Sequence, residues 1–483
     1  MSDVERGAAR IAGRLRRDLG TLESYAALIG ILIGAGIFTV TSQAWRLTGP
    51  SVLLGYVVLF PVILATSAPY AAFLSTPLGR EPGGEYTHIT RTLKGSVNGY
   101  RLAFVGAWLK TISYIGAMAF LANSLADYLL AAAGGRLDSE RYRLPLALAG
   151  LLFFYFVHVV GVRWFGRLQV AMCALLGVSL VVLIVPGLFA IHPANYRPFI
   201  ARGMEGFLAS LAPIFFSYAG FESLAQTAGE VKDSTRRLPI VFLKGISLTA
   251  LIFLLISAVA FGVLPGAQLG ASSAPMAEVA AVYLPVGAAW FVTFGAIMAL
   301  ATSMNSTMLV PSRLGIILAR DGLAPGWIGA IHPRTGTPVW GLTLTLAAAA
   351  ALLISHQISL ALNVAVFALV ILYFLHSLIY LLLARWNPPL HDSITIAIPL
   401  RLQRGAAWIS LIAMGGLIAV QVSQDAQTLL RLSLRQRIAG NALTSVELVL
   451  VWGAVGLALY AIGKRCGQPA PDNETMILDQ QLP

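Results

Sequence analysis

Long apolar runs separated by short polar intervals set the pattern of this chain. Twelve can be marked, at residues 22–46, 51–76, 98–133, 144–161, 168–190, 205–230, 239–263, 280–318, 338–354, 359–384, 406–423 and 445–463. A helix needs ~20 apolar residues to cross the hydrocarbon layer, and most of these runs suffice. The third and eighth exceed that length, so they tilt or extend beyond the bilayer. All are far longer than the ~10-residue strands of an outer-membrane barrel. The pattern predicts an all-α integral membrane protein with about 12 transmembrane helices, numbered here as spans 1 to 12.

Two spans are interrupted by glycine at matching places. Span 1 holds Gly30, then Ile33-Gly34-Ala35-Gly36-Ile37-Phe38, and span 6 holds Phe215-Phe216-Ser217-Tyr218-Ala219-Gly220-Phe221-Glu222. Glycine weakens a helix by ~1 kcal/mol relative to alanine, and unpaired backbone in lipid costs several more per group. Such breaks persist where the freed groups line a cavity or meet a ligand. A single glycine-rich span would more simply mean close helix packing, as Gly30-xxx-Gly34 does on its own; two breaks five spans apart shift the balance. Spans 1–5 and 6–10 then run in opposite senses, a 5+5 inverted repeat with broken helices 1 and 6, two extra helices, and a site near mid-membrane. This divides the chain into a cytoplasmic N-terminal segment (1–20), two repeats (21–200 and 201–390), two additional spans (391–464) and a cytoplasmic tail (465–483), expected to be disordered.

Composition narrows the class further. Of 483 residues, 57% are hydrophobic and 11% charged, less than half the charged share of about 25% in soluble proteins. Mean hydropathy is +0.78, so most of the surface faces membrane lipid. A soluble enzyme and a disordered chain are both excluded. The net charge of +12 does not imply a nucleic-acid partner, because the basic residues sit at span ends rather than on one module. Counting the span ends with the connections beside them, the odd-to-even side holds nine Lys/Arg and the other side with the termini 23, with Lys110 set apart inside span 3. The positive-inside rule then places both termini in the cytoplasm of a multi-pass protein, expected in the plasma membrane. Arg431, Arg435 and Arg437 run against the rule and suggest an extracellular amphipathic turn. Two cysteines, Cys173 and Cys466, offer neither a disulfide framework nor metal spacing; no metal and no cofactor are expected.

At these residues the chain resembles the amino acid–polyamine–organocation (APC) superfamily, and within it an amino acid permease. Ile33-Gly34-Ala35-Gly36-Ile37-Phe38 is similar to that family's first span, and Gly83-Gly84-Glu85-Tyr86 to the loop before its third. The stretch Phe216 to Glu222, with Gly229-Glu230-Val231-Lys232 and Arg236-Arg237-Leu238-Pro239, resembles its sixth-span segment. A fourth block runs from Met304-Asn305-Ser306 and Ser312-Arg313 through Ala319-Arg320-Asp321-Gly322-Leu323-Ala324-Pro325 to Thr337-Pro338. The resemblance implies a secondary active transporter working by alternating access on a small-molecule substrate, an amino acid or related amine. It further implies that Gly34, Ala35 and Gly36, flanked by Ile33 and Ile37, offer backbone N–H groups to a carboxylate. The ammonium would meet carbonyls at Phe216, Ser217 and Ala219 beside Gly220, with Phe216 closing the outer side. Helix termini supply these groups in general: orphan N–H donors at one end, orphan carbonyls at the other.

Coupling is where the chain departs from its relatives. Some members place a lysine in span 5, but the matching position falls near Leu176 and span 5 has no lysine or acid. The coupling ion is a proton or sodium. Sodium would use hydroxyls of span 8 such as Thr302, Ser303, Ser306 and Thr307, although such residues often bond their own helix. Lys110 near mid-bilayer marks a functional site by default, against a structural ion pair; we expect it to tune coupling together with Glu222. Glu222 either binds a cation or proton or ties the broken segment to its neighbours. Glu230, among Lys232, Asp233, Arg236 and Arg237, reads as an inner gate or as a solvated cytoplasmic end, the second being favoured. His158 reads as a packing histidine, and Trp108, Trp164, Trp290, Trp327 and Trp452 as interface anchors. A membrane enzyme would need a reactive constellation, which the seven histidines do not form. A channel or sensor would need a charged ring or signalling domain, which is also missing. A polyamine or organic cation is the alternative substrate, with Glu222 its only strong acidic candidate.

Overall fold

The computed structural model describes residues 17–465 apart from 39, 273, 356 and 440–442. Most of the N-terminal segment and the tail lie outside the described residues. All twelve apolar runs form helices. They are Thr21–Leu32 continued by Ala35–Phe38 and Val40–Thr48 (span 1), Val52–Leu74, Val97–Ala132, Ser139–Val160, Val162–Phe189, Gly203–Tyr218 (the first half of span 6), Ser234–Val263, Val286–Arg320, Val339–Ile354, Ile358–Trp386, Leu400–Arg431 and Ser445–Arg465. Ten helical stretches meet the length and hydropathy needed to cross a membrane; Val339–Ile354 and Ser445–Ala461 are shorter apolar helices. Spans 3 and 8, at 36 and 35 residues, are overlong as expected. Among the described residues one backbone pairing is β-like, a parallel bridge between Leu19 and Val231.

Burial sorts the spans into an inner group and a lipid-facing shell. Spans 1, 3, 6 and 8 lie mostly inside, and the C-terminal part of span 8 is buried continuously from Ala299 to Ala319. Spans 4, 5 and 11 expose apolar side chains such as Phe153, Phe156, Val181 and Ile412, the surface a bilayer solvates. Polar caps finish two span starts: Ser96 accepts from the Gly99 amide at 3.1 Å at the start of span 3, and Glu23 accepts from the Gly20 amide at 2.9 Å at the start of span 1. Two tryptophans expected at the interface do something else. Trp108 and Trp452 stack at 4.3 Å, and each indole N–H donates to the other's carbonyl, at 2.6 and 2.8 Å. The pair fastens span 12 to span 3, whereas Trp164, Trp290 and Trp327 are about half exposed, as anchors would be.

Candidate functional site

Span 1 stops at Ile33, whose ψ of 75° leaves the helical region, and the Gly34 amide turns back to the Leu32 carbonyl at 3.0 Å. The carbonyls freed at this end are met from span 8, and two carbonyls a turn earlier are met from spans 5 and 8. Ser303 Oγ donates to the carbonyls of Gly30 at 2.7 Å and Ile31 at 3.0 Å, and Thr302 Oγ1 to Gly30 at 3.0 Å. Gln169 Nε2 donates to Ala26 at 3.1 Å, and Ser306 Oγ to Ala27 at 3.4 Å. Span 8's hydroxyls therefore serve span 1 as well as their own helix. Beyond the break, Ala35, Gly36 and Ile37 open a new half-helix, and first-turn amides have no intrahelical acceptor.

The first half of span 6 ends at Tyr218. Ala219 is extended, and Gly220 sits at φ +104°, a conformation that favours glycine. The carbonyls of the last turn, from Phe216 to Tyr218, have lost their helical donors; only that of Phe216 is seen to recover one, from the Ala219 amide at 3.0 Å. The two breaks touch. Ser217 Oγ donates to the Gly36 carbonyl at 2.9 Å, and a Cβ on Gly36 would lie 2.4 Å from Ser217 Cα. Gly36 is thus required by the crossing of the two helices as well as by any cradle. Gly30 and Gly34 likewise admit spans 5 and 8: a Cβ on Gly34 would meet Ser303 Oγ at 1.8 Å.

Between the breaks lies a partly open cavity whose empty space, its solvent mouth included, is about 420 Å³. Gly36, Phe216, Ala219, Gly220 and Thr307 of the predicted residues line it, joined by Ser303 and by Ser113, Tyr114, Ala117 and Leu121 from span 3. Phe216 is half-buried and packs edge-on against Phe120 at 5.8 Å. Ile33, Gly34, Ile37, Ser217 and Ser306 stand behind the wall. Among the described residues no charged side chain lines the cavity.

The acidic and basic candidates form three buried groups. Glu222 accepts from Tyr114 at 2.6 Å, from the Tyr373 hydroxyl and from the Gly220 amide at 3.1 Å, holding the break to spans 3 and 10. Lys110 does not pair with Glu222. Its ammonium lies 2.9 and 2.8 Å from the two carboxylate oxygens of Glu85, which also accepts from Tyr70 at 2.7 Å and Gln226 at 2.9 Å. Glu230 is not solvated. It is 1% exposed and pairs with Arg313 at 3.0 Å, while the neighbouring Leu19–Val231 bridge closes over it through Leu19 N to Glu230 O at 3.0 Å and Lys232 N to Leu19 O at 2.9 Å. Arg313, equally buried inside span 8, is a second intramembrane base beside Lys110. His158 is a packing residue, buried with Nε2 2.8 Å from the Asn305 carbonyl.

Sequence reasoning missed one feature altogether. His88, on the short helix Glu85–Thr92, lies 3.0 Å from His376 of span 10. It stacks on Phe73 at 4.5 Å. Burial, and then the charge of Lys110, push the His88 imidazole down to about 3, so it is neutral at ordinary pH.

A membrane bundle with two helices broken around a central cavity is the architecture of a transport protein. The chain belongs to the amino acid permease family, whose model matches residues 19–428. It is similar to the methylthioribose transporter of Bacillus subtilis (strain 168), 26% identical over 347 residues, covering 68% of this chain and 73% of that protein. It is also similar to the branched-chain amino acid permease BcaP of the same organism, at 26% over 344 residues, covering 67% and 71%. Chloroplastic cationic amino acid transporter 9 of Arabidopsis thaliana is 30% identical over 339 residues, covering 66% and 58%.

Proposed function

We propose that this protein is a secondary active transporter that moves an amino acid by alternating access through the cavity between broken spans 1 and 6. The observation that carries the reading is the meeting of two opposite helix ends at one cavity. The amides opening the half-helix at Ala35, Gly36 and Ile37 suit a carboxylate, and the carbonyls ending at Tyr218 suit an ammonium. Phe216 acts as the outer lid. The Glu230–Arg313 pair and the Leu19–Val231 bridge act as the inner closure, which must open for release to the cytoplasm. In this reading spans 1–5 and 6–10 are the two inverted repeats, both termini are cytoplasmic, and the protein works in the plasma membrane.

The coupling ion in this reading is a proton. The span 1 carbonyls that would hold sodium already accept from Gln169, Thr302, Ser303 and Ser306. Glu222, bound by two tyrosine hydroxyls beside the cavity wall, is the acid best placed to exchange a proton. A polyamine would want carboxylates facing the cavity, and the lining has none. Uptake of labelled amino acids into proteoliposomes, under an imposed proton or sodium gradient, tests the assignment. Accumulation driven by the proton gradient supports it, and dependence on sodium alone would overturn the coupling.

A further inference from the structure

The cavity wall limits which side chain the site accepts; this inference rests on the amino acid reading above. Four hydroxyl-bearing residues line the cavity, and three have already spent their protons. Ser113 Oγ donates to the Ala365 carbonyl of span 10 at 2.8 Å. Tyr114 donates to Glu222 at 2.6 Å. Ser303 donates to the carbonyls of Gly30 and Ile31. Thr307 lines the cavity with no hydrogen bond among the described residues. The rest of the side-chain wall is Ile31, Leu32, Ala117, Leu121, Phe216, Ala219 and Leu369. An acidic side chain entering here would give up its water and find one hydroxyl donor, Thr307, while a basic one would find neutral hydroxyl acceptors and no carboxylate in the lining; both are penalised. An apolar side chain loses nothing of that kind.

Ser113, Ala117 and Leu121 follow one another at intervals of four, one face of span 3. Ala117 is the smallest side chain in the middle of that face, so it leaves the space that its neighbours do not. We propose that the site selects amino acids with uncharged, apolar side chains, that Ala117 sets the size limit, and that Thr307 gives the one uncommitted hydroxyl to the ligand's polar end. Thr307 is then a positioning contact common to all substrates, and Ala117 a specificity determinant that discriminates among them.

The test is displacement of tritiated leucine from the full-length chain in proteoliposomes by unlabelled alanine, valine, leucine, phenylalanine, lysine and glutamate. Lysine and glutamate should compete at least about a hundredfold more weakly than leucine. Ala117→Val should weaken leucine about tenfold while sparing alanine, within the range that one added alkyl group imposes on an apolar pocket. Ala117→Gly should act oppositely and improve phenylalanine, so the size argument does not depend on one variant folding. Thr307→Val should weaken every substrate by a similar factor and Thr307→Ser should restore it. Lysine or glutamate within tenfold of leucine overturns the selectivity, and an unchanged rank order in both Ala117 variants overturns the size limit. If amino acids bind without regard to side chain, this inference falls and the transporter reading stands. If none of them binds, both fall.

Discussion

Replacing Lys110 by methionine asks whether this buried base is structural or couples transport to an ion. Its ammonium sits on both oxygens of Glu85, and the two side chains are 1% and 2% exposed. Methionine keeps the length of the side chain and leaves the Glu85 carboxylate with Tyr70 and Gln226, both neutral donors. Removing one partner of a buried pair costs about 3–5 kcal/mol, because an uncompensated charge remains. Adding Glu85→Gln removes that charge, so the double variant should recover at least half of the loss. Gln226 belongs to the inner half of broken span 6, so disturbing Glu85 disturbs the site. The thermal midpoint in detergent reads the stability, and gradient-driven accumulation against counterflow in the same vesicles reads the transport. The geometry predicts a destabilised single variant in which accumulation and counterflow fall together, and a double variant that regains both. A Lys110→Met protein as stable as the native chain, with counterflow intact and accumulation lost, would refute the structural assignment and make Lys110 the coupling group.

Other positions give sharper local tests. Gly36→Ala puts a Cβ 2.4 Å from Ser217 Cα, so spans 1 and 6 must part; overpacking of about 1–3 kcal/mol should cut uptake while the protein still reaches the membrane, read by transport against surface labelling. His88 takes a proton near pH 6.5 in the unfolded chain but only at about 3 when folded. Its contribution to stability is therefore complete above about pH 6.5 and is lost at about 1.4 kcal/mol per pH unit as the pH falls towards 3; midpoints between pH 7.5 and 5 should show the slope, and His88→Gln should make it shallower. Arg313→Leu strands the buried Glu230 and should loosen the inner closure, measured as faster protease cleavage at the cytoplasmic end of span 6 in inside-out vesicles.

The spans and both breaks were legible because lipid permits few arrangements: an apolar run must be a helix, and Gly34-Ala35-Gly36 and Ala219-Gly220 fall five spans apart, a coincidence that helix packing alone does not explain. The role of Gly36 was only half legible, since nothing in the local sequence reveals that Ser217 crosses there. Glu230 looked solvated because Lys232, Asp233, Arg236 and Arg237 surround it in sequence. Its burial comes from Arg313, 83 residues away, and from Leu19 laid across the connection. Lys110 was recognised as costly, but its partner lay in a loop motif 25 residues earlier, outside the span where an acid was sought. The His88–His376 pair joins residues 288 apart, a distance no periodicity spans. Long-range polar pairing is what one-dimensional pattern leaves out.

The central claim is that one cavity between broken spans 1 and 6 holds substrate and opens to each side in turn. Ser113 lines that cavity with its hydroxyl turned to the Ala365 carbonyl, and cysteine nearly matches its size, so Ser113→Cys in a chain with Cys173 and Cys466 replaced by alanine provides a probe. Labelling with a membrane-impermeant thiol reagent, applied from outside and from inside in oriented vesicles, measures access directly. The account predicts labelling from either side, slowed by the transported amino acid in both cases. Labelling from one side only, or labelling indifferent to substrate, would contradict it.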